Sequence, residues 1–153
     1  MQMNGIAHLA INVWNFEECK EFYRKLFAFL EMQLVYDDVN IIYGVGSRTG
    51  IVVHRVPEQY QKDVFQQNRA GLHHFCFRAR SKEDIDALYE FLITLKTKII
   101  RQPEEGHWAP GYYSVLFEDP DGIRIEANYV PGKGNLDPAV ELPRKVISRA
   151  SPQ

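Results

Sequence analysis

Two stretches of the chain, GIAHLAINV at residues 5–13 and GLHHFCFRA at residues 71–79, follow one pattern. Each is rich in β-forming residues and alternates its side chains between two faces, as a half-buried strand does. Each is followed by a short polar turn and then by an amphipathic stretch with helical spacing. Because an internal repeat governs how the rest of a chain is divided, we predict two copies of one structural unit.

Both copies carry a helix start signal after the first strand. Asn15 is followed three residues later by Glu18, and Ser81 is followed three residues later by Asp84, so both predict a capping box. Each helix is then followed by three short strand candidates, which makes each unit βαβββ. The predicted strands lie at about 32–37, 39–45 and 50–56 in the first copy and at about 97–102, 112–118 and 122–130 in the second.

We expect one domain, over residues 1–153, built from these two modules. The predicted divisions are module 1 at about 4–57, a polar linker at 58–69, module 2 at about 70–131 and a C-terminal tail at 132–153.

Composition excludes several classes of protein. The formal net charge of −2 gives no basic surface for nucleic acid, and no apolar run approaches the roughly 20 residues that a membrane span needs. The N-terminus lacks the pattern of a secretory signal. Two cysteines are too few for a disulfide framework, so we expect a reduced, cytoplasmic protein.

The period of two in the strands separates an apolar face from a polar one. His8, His74 and Glu126 fall on the polar face, whereas His73 falls on the packing side or at the margin of its strand. Because the three polar-face residues occupy corresponding strands of the two copies, we expect them to act together.

Aligning the later strands adds a fourth candidate. When GIVVHRV from Gly50 is aligned with GIRIEAN from Gly122, His54 takes the position equivalent to Glu126. The neighbours of His54 on its own face of the strand are apolar. Three imidazoles and one carboxylate are suitable ligands for a divalent Zn, Ni, Fe, Mn or Co ion. Two histidines with one carboxylate and open positions also suit non-haem iron.

Three motifs carry a family resemblance: HLAINV at 8–13 with FY in the first helix, HHFCFRA at 73–79, and FEDPDGIRIE at 117–126. With them the chain resembles the vicinal oxygen chelate superfamily, which includes glyoxalase I, extradiol dioxygenases and bleomycin-binding proteins. The resemblance implies an α+β fold in which the two modules form a cup-shaped mixed sheet, with the helices on the outer face and one divalent metal ion in the cup.

The resemblance also assigns roles to residues. It implies metal ligation by His8, His74 and Glu126, with the fourth ligand, here His54, on the last strand of the first module. Glyoxalase-like members usually have Glu or Gln at that fourth position, so His54 is a departure from their pattern.

Three functions remain open. The first is a metal-dependent, lactoylglutathione lyase-like lyase or isomerase acting on a small oxygenated substrate, with Glu126 in proton transfer. The second is an extradiol-type dioxygenase, and the third is a non-catalytic, bleomycin-type binding protein, which the full ligand set argues against. A fosfomycin transferase is disfavoured because Ala10 stands where a hydroxyl residue is expected. Small members of the superfamily are often dimers, so we expect a homodimer that binds a small molecule, without nucleic acid or membrane.

Further residues are candidates for contact with substrate. Some of them lie in or just after the loop between the first and second strands that follow the second helix. The others are arginines on the polar face of the sheet, where they could hold an anionic group or pair with a carboxylate. These candidates are Arg78, His107, Trp108, Tyr113 and Arg124.

Overall fold

The computed structural model describes residues 5–61 and 64–137, and the βαβββ repeat predicted from the sequence is confirmed in it. Most of the predicted C-terminal tail lies outside the described residues. The elements of the first module are β1 (His8–Val13), α1 (Phe16–Phe29), β2 (Gln33–Asp37), β3 (Ile41–Gly46) and β4 (Thr49–Arg55). Those of the second are β5 (Phe75–Arg78), α2 (Lys82–Thr94), β6 (Lys98–Glu105), β7 (Tyr113–Glu118) and β8 (Arg124–Tyr129). Short 3-10 turns lie at Glu58–Tyr60 and Gly134–Leu136.

The strands form two four-stranded mixed sheets, ordered β1-β4-β3-β2 and β5-β8-β7-β6. In each sheet the first and last strands of the module pair in parallel, and the other pairs are antiparallel. Over the described residues no strand of one sheet is hydrogen-bonded to a strand of the other. This architecture confirms the predicted α+β class, and β1 and β5 are each left at an edge of their sheet.

One hydrophobic core lies between the helices and the apolar faces of both sheets. Alternate residues of β1 and β4, such as Ile11 and Val53, are buried against α1, whose Tyr23 and Phe27 are at most 1% exposed. The glycine at position 44 permits this packing, because a Cβ there would lie 2.5 Å from the Phe27 ring. The core therefore fixes which face of each sheet is covered and which is left open.

The loop between β7 and β8 joins the second module to the helix of the first. Asp121 accepts hydrogen bonds from the backbone N–H groups of Trp14 and Asn15, just before α1 begins. Asp119 accepts a hydrogen bond from the Tyr23 hydroxyl of α1 at 2.8 Å. The ring of Phe29 on α1 also stacks on that of Phe91 on α2, with centroids 4.2 Å apart.

The contact of Asp121 with the backbone before α1 corrects one of the two predicted helix caps. The Asn15 side chain makes no capping hydrogen bond. The Asn15 backbone N–H, which the capping box assigns to the Glu18 carboxylate, donates to Asp121 instead. The second capping box is confirmed, since the Ser81 side chain accepts from the Asp84 amide and the Asp84 side chain accepts from the Ser81 amide. None of the helices in the described ranges is long and apolar enough to cross a membrane.

The Asp119 carboxyl predicts a specific dependence of stability on pH. Burial raises its pKa to about 6 from the usual 3.8, and the hydrogen bond from Tyr23 only partly opposes this. Because the folded pKa lies above the unfolded one, this group favours folding below about pH 4 and loses that contribution as the pH rises through about 6. As the pH rises from about 4 to about 6, we expect the free energy of unfolding of wild type to fall by up to about 3 kcal/mol relative to that of Asp119→Asn. Unfolding in urea at each pH measures this difference.

The matched control is Asp86→Asn. Asp86 also accepts a hydrogen bond from a tyrosine hydroxyl, that of Tyr113, but the pair is exposed. The free energy of unfolding of the Asp86→Asn variant should follow that of wild type across the same pH range. If the free energies of unfolding of wild type and Asp119→Asn change with pH in parallel, Asp119 is not the source of this pH dependence.

Candidate functional site

The pairing of β5 with β8 brings His74 and Glu126 together. Cys76 lies opposite Glu126 in the parallel register, and His74 lies two residues before Cys76, immediately before β5 begins. His74 Nε2 is 3.2 Å from Glu126 Oε2. The Glu126 side chain is 8% exposed and that of His74 is 35% exposed, so the carboxylate is buried beneath a half-open imidazole.

His73 and His74 do not point to opposite faces as strand residues would. The strand β5 begins only at Phe75, so both histidines precede it and the alternation rule does not apply to them. Their rings meet edge to face, with the two Nδ1 atoms 2.7 Å apart. The placement of His73 at the strand margin is borne out, whereas the expected separation of the two rings is wrong.

The second oxygen of Glu126 is held by two hydrogen-bond donors. Glu126 Oε1 accepts from the Tyr112 hydroxyl at 2.8 Å and from Arg101 Nη2 at 2.9 Å. The same Arg101 nitrogen donates to Ser114 Oγ at 2.9 Å. Burial, together with the hydrogen bond to Glu126, raises the pKa of Tyr112 to about 12, so the phenol stays protonated as a donor. These contacts fix one carboxylate oxygen and leave the other facing His74.

A cavity of about 370 Å³ adjoins this group. It lies between β6 and the loop that leads into β7. Its lining includes Arg101, His107, Trp108, Tyr112 and Ser114. Three of these five residues, Arg101, Tyr112 and Ser114, also form the network around Glu126, so the cavity adjoins that network.

The predicted loop residues divide between the two sides of the sheet. His107 and Trp108 line the cavity, and the Trp108 side chain is 73% exposed. Tyr113 instead donates its hydroxyl to Asp86 on α2, and Lys82 lies over its ring. Tyr113 is therefore on the helix side, away from Glu126, and the sequence-based placement of this residue at the site is not supported by its contacts.

The two arginines of the polar face also differ. Arg124 Nε lies 3.3 Å from Glu118 Oε1, so its charge is already paired. Arg78 is exposed and lies near enough to Cys76 to lower the pKa of that thiol. Desolvation by the surrounding atoms and the Glu126 charge outweigh Arg78 and raise the pKa of the Cys76 thiol to about 12, although the residue as a whole is exposed. Arg78 is the one of the two that remains available to an anion at this face.

His8 lies on the exposed edge strand β1, and the chain does not bring it to His74 and Glu126. Over residues 5–61 and 64–137, no three His, Cys, Asp or Glu side chains are close enough to hold a metal ion. The expected four-ligand set is therefore not assembled within the described part of a single chain.

The register corrects the alignment that paired His54 with Glu126. Cys76 lies opposite Glu126, and its counterpart Ala10 lies opposite Val52. The residue equivalent to Glu126 is thus Val52, while half-buried His54 lies opposite Asn12, two residues further on. Ligation by His54 remains a prediction from the sequence.

The alignment failed because the two modules use different hairpins. In the first module Gly46 pairs with Thr49 across a turn in which Ser47 and Arg48 have positive φ. In the second, Glu118 pairs with Arg124 across a longer loop. Glycines placed by unlike turns do not mark equivalent strand positions.

The sequence did not identify the residues that hold Glu126. Arg101 and Ser114 come from β6 and β7 and match no motif. Tyr112 is not among the predicted site residues, although its neighbour Tyr113 is. A period-two count that places Ser114 and Glu126 on one face could have found Ser114, because β7 and β8 pair with Ser114 opposite Asn128.

Two βαβββ modules, each with a mixed sheet that is covered by a helix on one face and open on the other, define the architecture of the vicinal oxygen chelate class. A sequence model of the Glyoxalase/Bleomycin resistance protein/Dioxygenase superfamily matches residues 5–127. The chain therefore belongs to this superfamily, as the motifs around His8, His74 and Glu126 indicated.

Individual relatives leave the activity open. The uncharacterized protein YqjT of Bacillus subtilis (strain 168) is 32% identical over 83 residues, which make up 52% of this chain and 63% of YqjT. The solved structure of a provisionally assigned glyoxalase from Bacillus halodurans is similar to this chain, with 28% sequence identity and a TM-score of 0.75. The match covers 83% of this chain and 96% of that protein. A lactoylglutathione lyase from Agrobacterium tumefaciens, at 20% identity and a TM-score of 0.62, covers 84% of this chain and 95% of its own and shares the fold.

The network around Glu126 predicts unequal effects from two neighbouring tyrosines. Tyr112→Phe removes a hydrogen bond to a buried carboxylate and should lower the free energy of unfolding by about 1–3 kcal/mol. Tyr113→Phe removes the same group from an exposed pair with Asp86 and should cost less than about 1 kcal/mol. Chemical denaturation of both variants measures this difference. Equal losses would show that Tyr112 does not hold Glu126 in solution.

Proposed function

We propose that this chain is a divalent-metal-dependent enzyme, a glyoxalase-like lyase or isomerase acting on a small oxygenated substrate. The observation that carries the proposal is the contact between His74 Nε2 and Glu126 Oε2, 3.2 Å apart on the open face of the sheet. Both cysteines, Cys19 and Cys76, are free thiols, and we propose a cytoplasmic location.

The donor set fits a metal ion. An imidazole nitrogen and a carboxylate oxygen, side by side, are ordinary ligands of Zn, Ni, Fe, Mn and Co. Glu126 Oε1 is held by Tyr112 and Arg101, and such outer contacts orient ligating carboxylates in metal sites. The cation in this position would supply Lewis-acid stabilisation of negative charge on a substrate oxygen.

We infer that a second copy of the chain completes the site with its own His8. Two ligands are too few to retain a metal ion, and the exposed His8 of the same chain does not join them. Both β1 and β5 are edge strands within the described residues. Pairing β1 of one chain beside β5 of the other would bring the partner's His8 towards His74, which supports a homodimer.

The chain's own groups suggest how substrate is held and how a proton moves. We assign proton transfer to Glu126, whose Oε1 is held in place by Tyr112 and Arg101. The cavity beside Arg101 and Trp108 has room for the body of a small substrate, and exposed Arg78 could hold an anionic group on it. Burial of the carboxylate keeps competing water away from the transferred proton.

A second function, extradiol-type ring cleavage, is favoured by one observation. The register gives Val52, not His54, as the counterpart of Glu126. Without His54 the ligands are two histidines and one carboxylate, the set that non-haem iron oxygenases use. The identity of the metal that restores activity, tested on catechol and on the hemithioacetal of methylglyoxal and glutathione, separates the two enzymes.

The first test is metal content by plasma mass spectrometry on tag-free protein, with reconstitution by Zn, Ni, Mn and Fe(II). We expect about one metal ion per chain in wild type and at least about a tenfold loss of affinity in His74→Ala and Glu126→Gln, since each removes a ligand. His107→Ala is the control, because His107 is exposed in the loop and outside the pair.

The controls separate loss of a ligand from loss of the fold. Thermal unfolding must remain cooperative in each variant for its metal content to count. A folded wild type that takes up none of the four metals would refute the enzyme proposal and leave the third candidate, a binding protein without metal.

A further inference from the structure

Four side chains, two of which form the proposed metal site, are joined by a continuous series of close contacts. Gln67 Nε2 lies 2.6 Å from His73 Nε2. His73 Nδ1 lies 2.7 Å from His74 Nδ1. His74 Nε2 lies 3.2 Å from Glu126 Oε2. A side-chain amide at the surface is thus linked through two imidazoles to the buried carboxylate.

Counting protons leaves two arrangements for this chain of contacts. A neutral imidazole carries one N–H and one lone pair, so only one of the facing Nδ1 atoms of His73 and His74 can carry the proton. If the Gln67 amide nitrogen donates to His73, then His73 Nδ1–H donates to His74, and His74 Nε2–H donates to Glu126. This is the arrangement that the amide orientation in the structure implies.

A half turn of the Gln67 amide reverses the first two hydrogen bonds and removes the third. The amide oxygen then accepts from His73 Nε2–H, and His73 Nδ1 accepts from His74 Nδ1–H. His74 Nε2 is left with a lone pair beside the Glu126 carboxylate, which is what a metal ligand requires. The oxygen and nitrogen of an amide occupy nearly the same positions, so the reversal needs little movement.

We propose that Gln67 and His73 are positioning residues that set the tautomer of His74 and thereby determine whether the site binds a divalent metal. This inference rests on the proposed function, and it gives His73 a role that its sequence position did not suggest. A ligating histidine is commonly held by a partner on its second nitrogen. Here that partner is a second histidine, whose own proton is set by Gln67.

Two substitutions at Gln67 force the two arrangements. Gln67→Glu provides only acceptor oxygens, so it should place the His74 proton on Nδ1 and free Nε2 for metal. Gln67→Lys provides only donors, so it should place the proton on Nε2 and block it. We expect zinc affinity, measured by competition with a chelator at fixed pH, to rise in the first and fall in the second, by about tenfold each.

Introduced charge would act in the same direction, and two controls separate it. Gln66→Glu and Gln66→Lys make the same charge changes at the adjacent exposed residue. Repeating the Gln67 pair in a His73→Ala background keeps the charge at its place and removes the link to His74. In that background, the difference in zinc affinity between Gln67→Glu and Gln67→Lys should shrink to the difference between Gln66→Glu and Gln66→Lys.

The tautomer itself is read by ¹⁵N NMR of the imidazoles in metal-free protein. We expect His74 to be protonated on Nδ1 in Gln67→Glu and on Nε2 in Gln67→Lys, a difference that a merely structural role for Gln67 would not produce. An undiminished affinity gap in the His73→Ala background, or one His74 tautomer in both variants, would overturn the proposal.

The outcomes also distinguish this inference from the proposed function. If His74→Ala loses zinc while the Gln67 variants bind it equally, the metal site stands and the role of Gln67 and His73 falls. If wild type and every Gln67 variant fail to bind any metal, both fall together.

Discussion

The parallel pairing of the first strand of each module with its last strand is the constraint on which the rest of the structure depends. A parallel pair cannot be joined by a tight turn, so the chain between its strands must cross over, here through a helix and two further strands. In the second module this pairing places Cys76 opposite Glu126 and brings His74 to the carboxylate. The helix covers one face of the sheet, and the candidate site forms on the face left open.

The two modules meet on their helix sides, which leaves the open faces without a partner. Asp121 holds the start of α1, and Asp119 holds Tyr23, so the loop before β8 both leads into the strand that carries Glu126 and fastens the modules together. Since β1 and β5 remain edge strands in the described chain, His8 is kept apart from His74 and Glu126. The proposed enzyme therefore depends on a second chain.

The sequence predicted what depends on local periodicity and little of what depends on three-dimensional pairing. The repeat and both helices followed from apolar spacing and the period of two. The sequence also brought His74 together with Glu126, although His74 precedes β5 and lies outside the strand alternation used to place it. The His54 alignment failed because unlike hairpins shift the register. The Asn15–Glu18 capping box did not form, and Asp121 of the other module accepts from the Asn15 backbone N–H instead of Glu18. Arg101 and Tyr112 match no motif, and their contacts with Glu126 depend on how β6, β7 and β8 pair in the folded sheet.

The most direct test of the two-chain site mixes two variants that each lack one ligand. His8→Ala and Glu126→Gln chains, purified separately, are unfolded and refolded together, and zinc content is measured against each variant refolded alone. A dimer of one chain of each kind has one complete site and one that lacks both ligands, so the mixture should regain about a quarter of wild-type zinc per chain by random pairing. Zinc that stays absent in the mixture, while refolded wild type binds it, would contradict a site shared between chains.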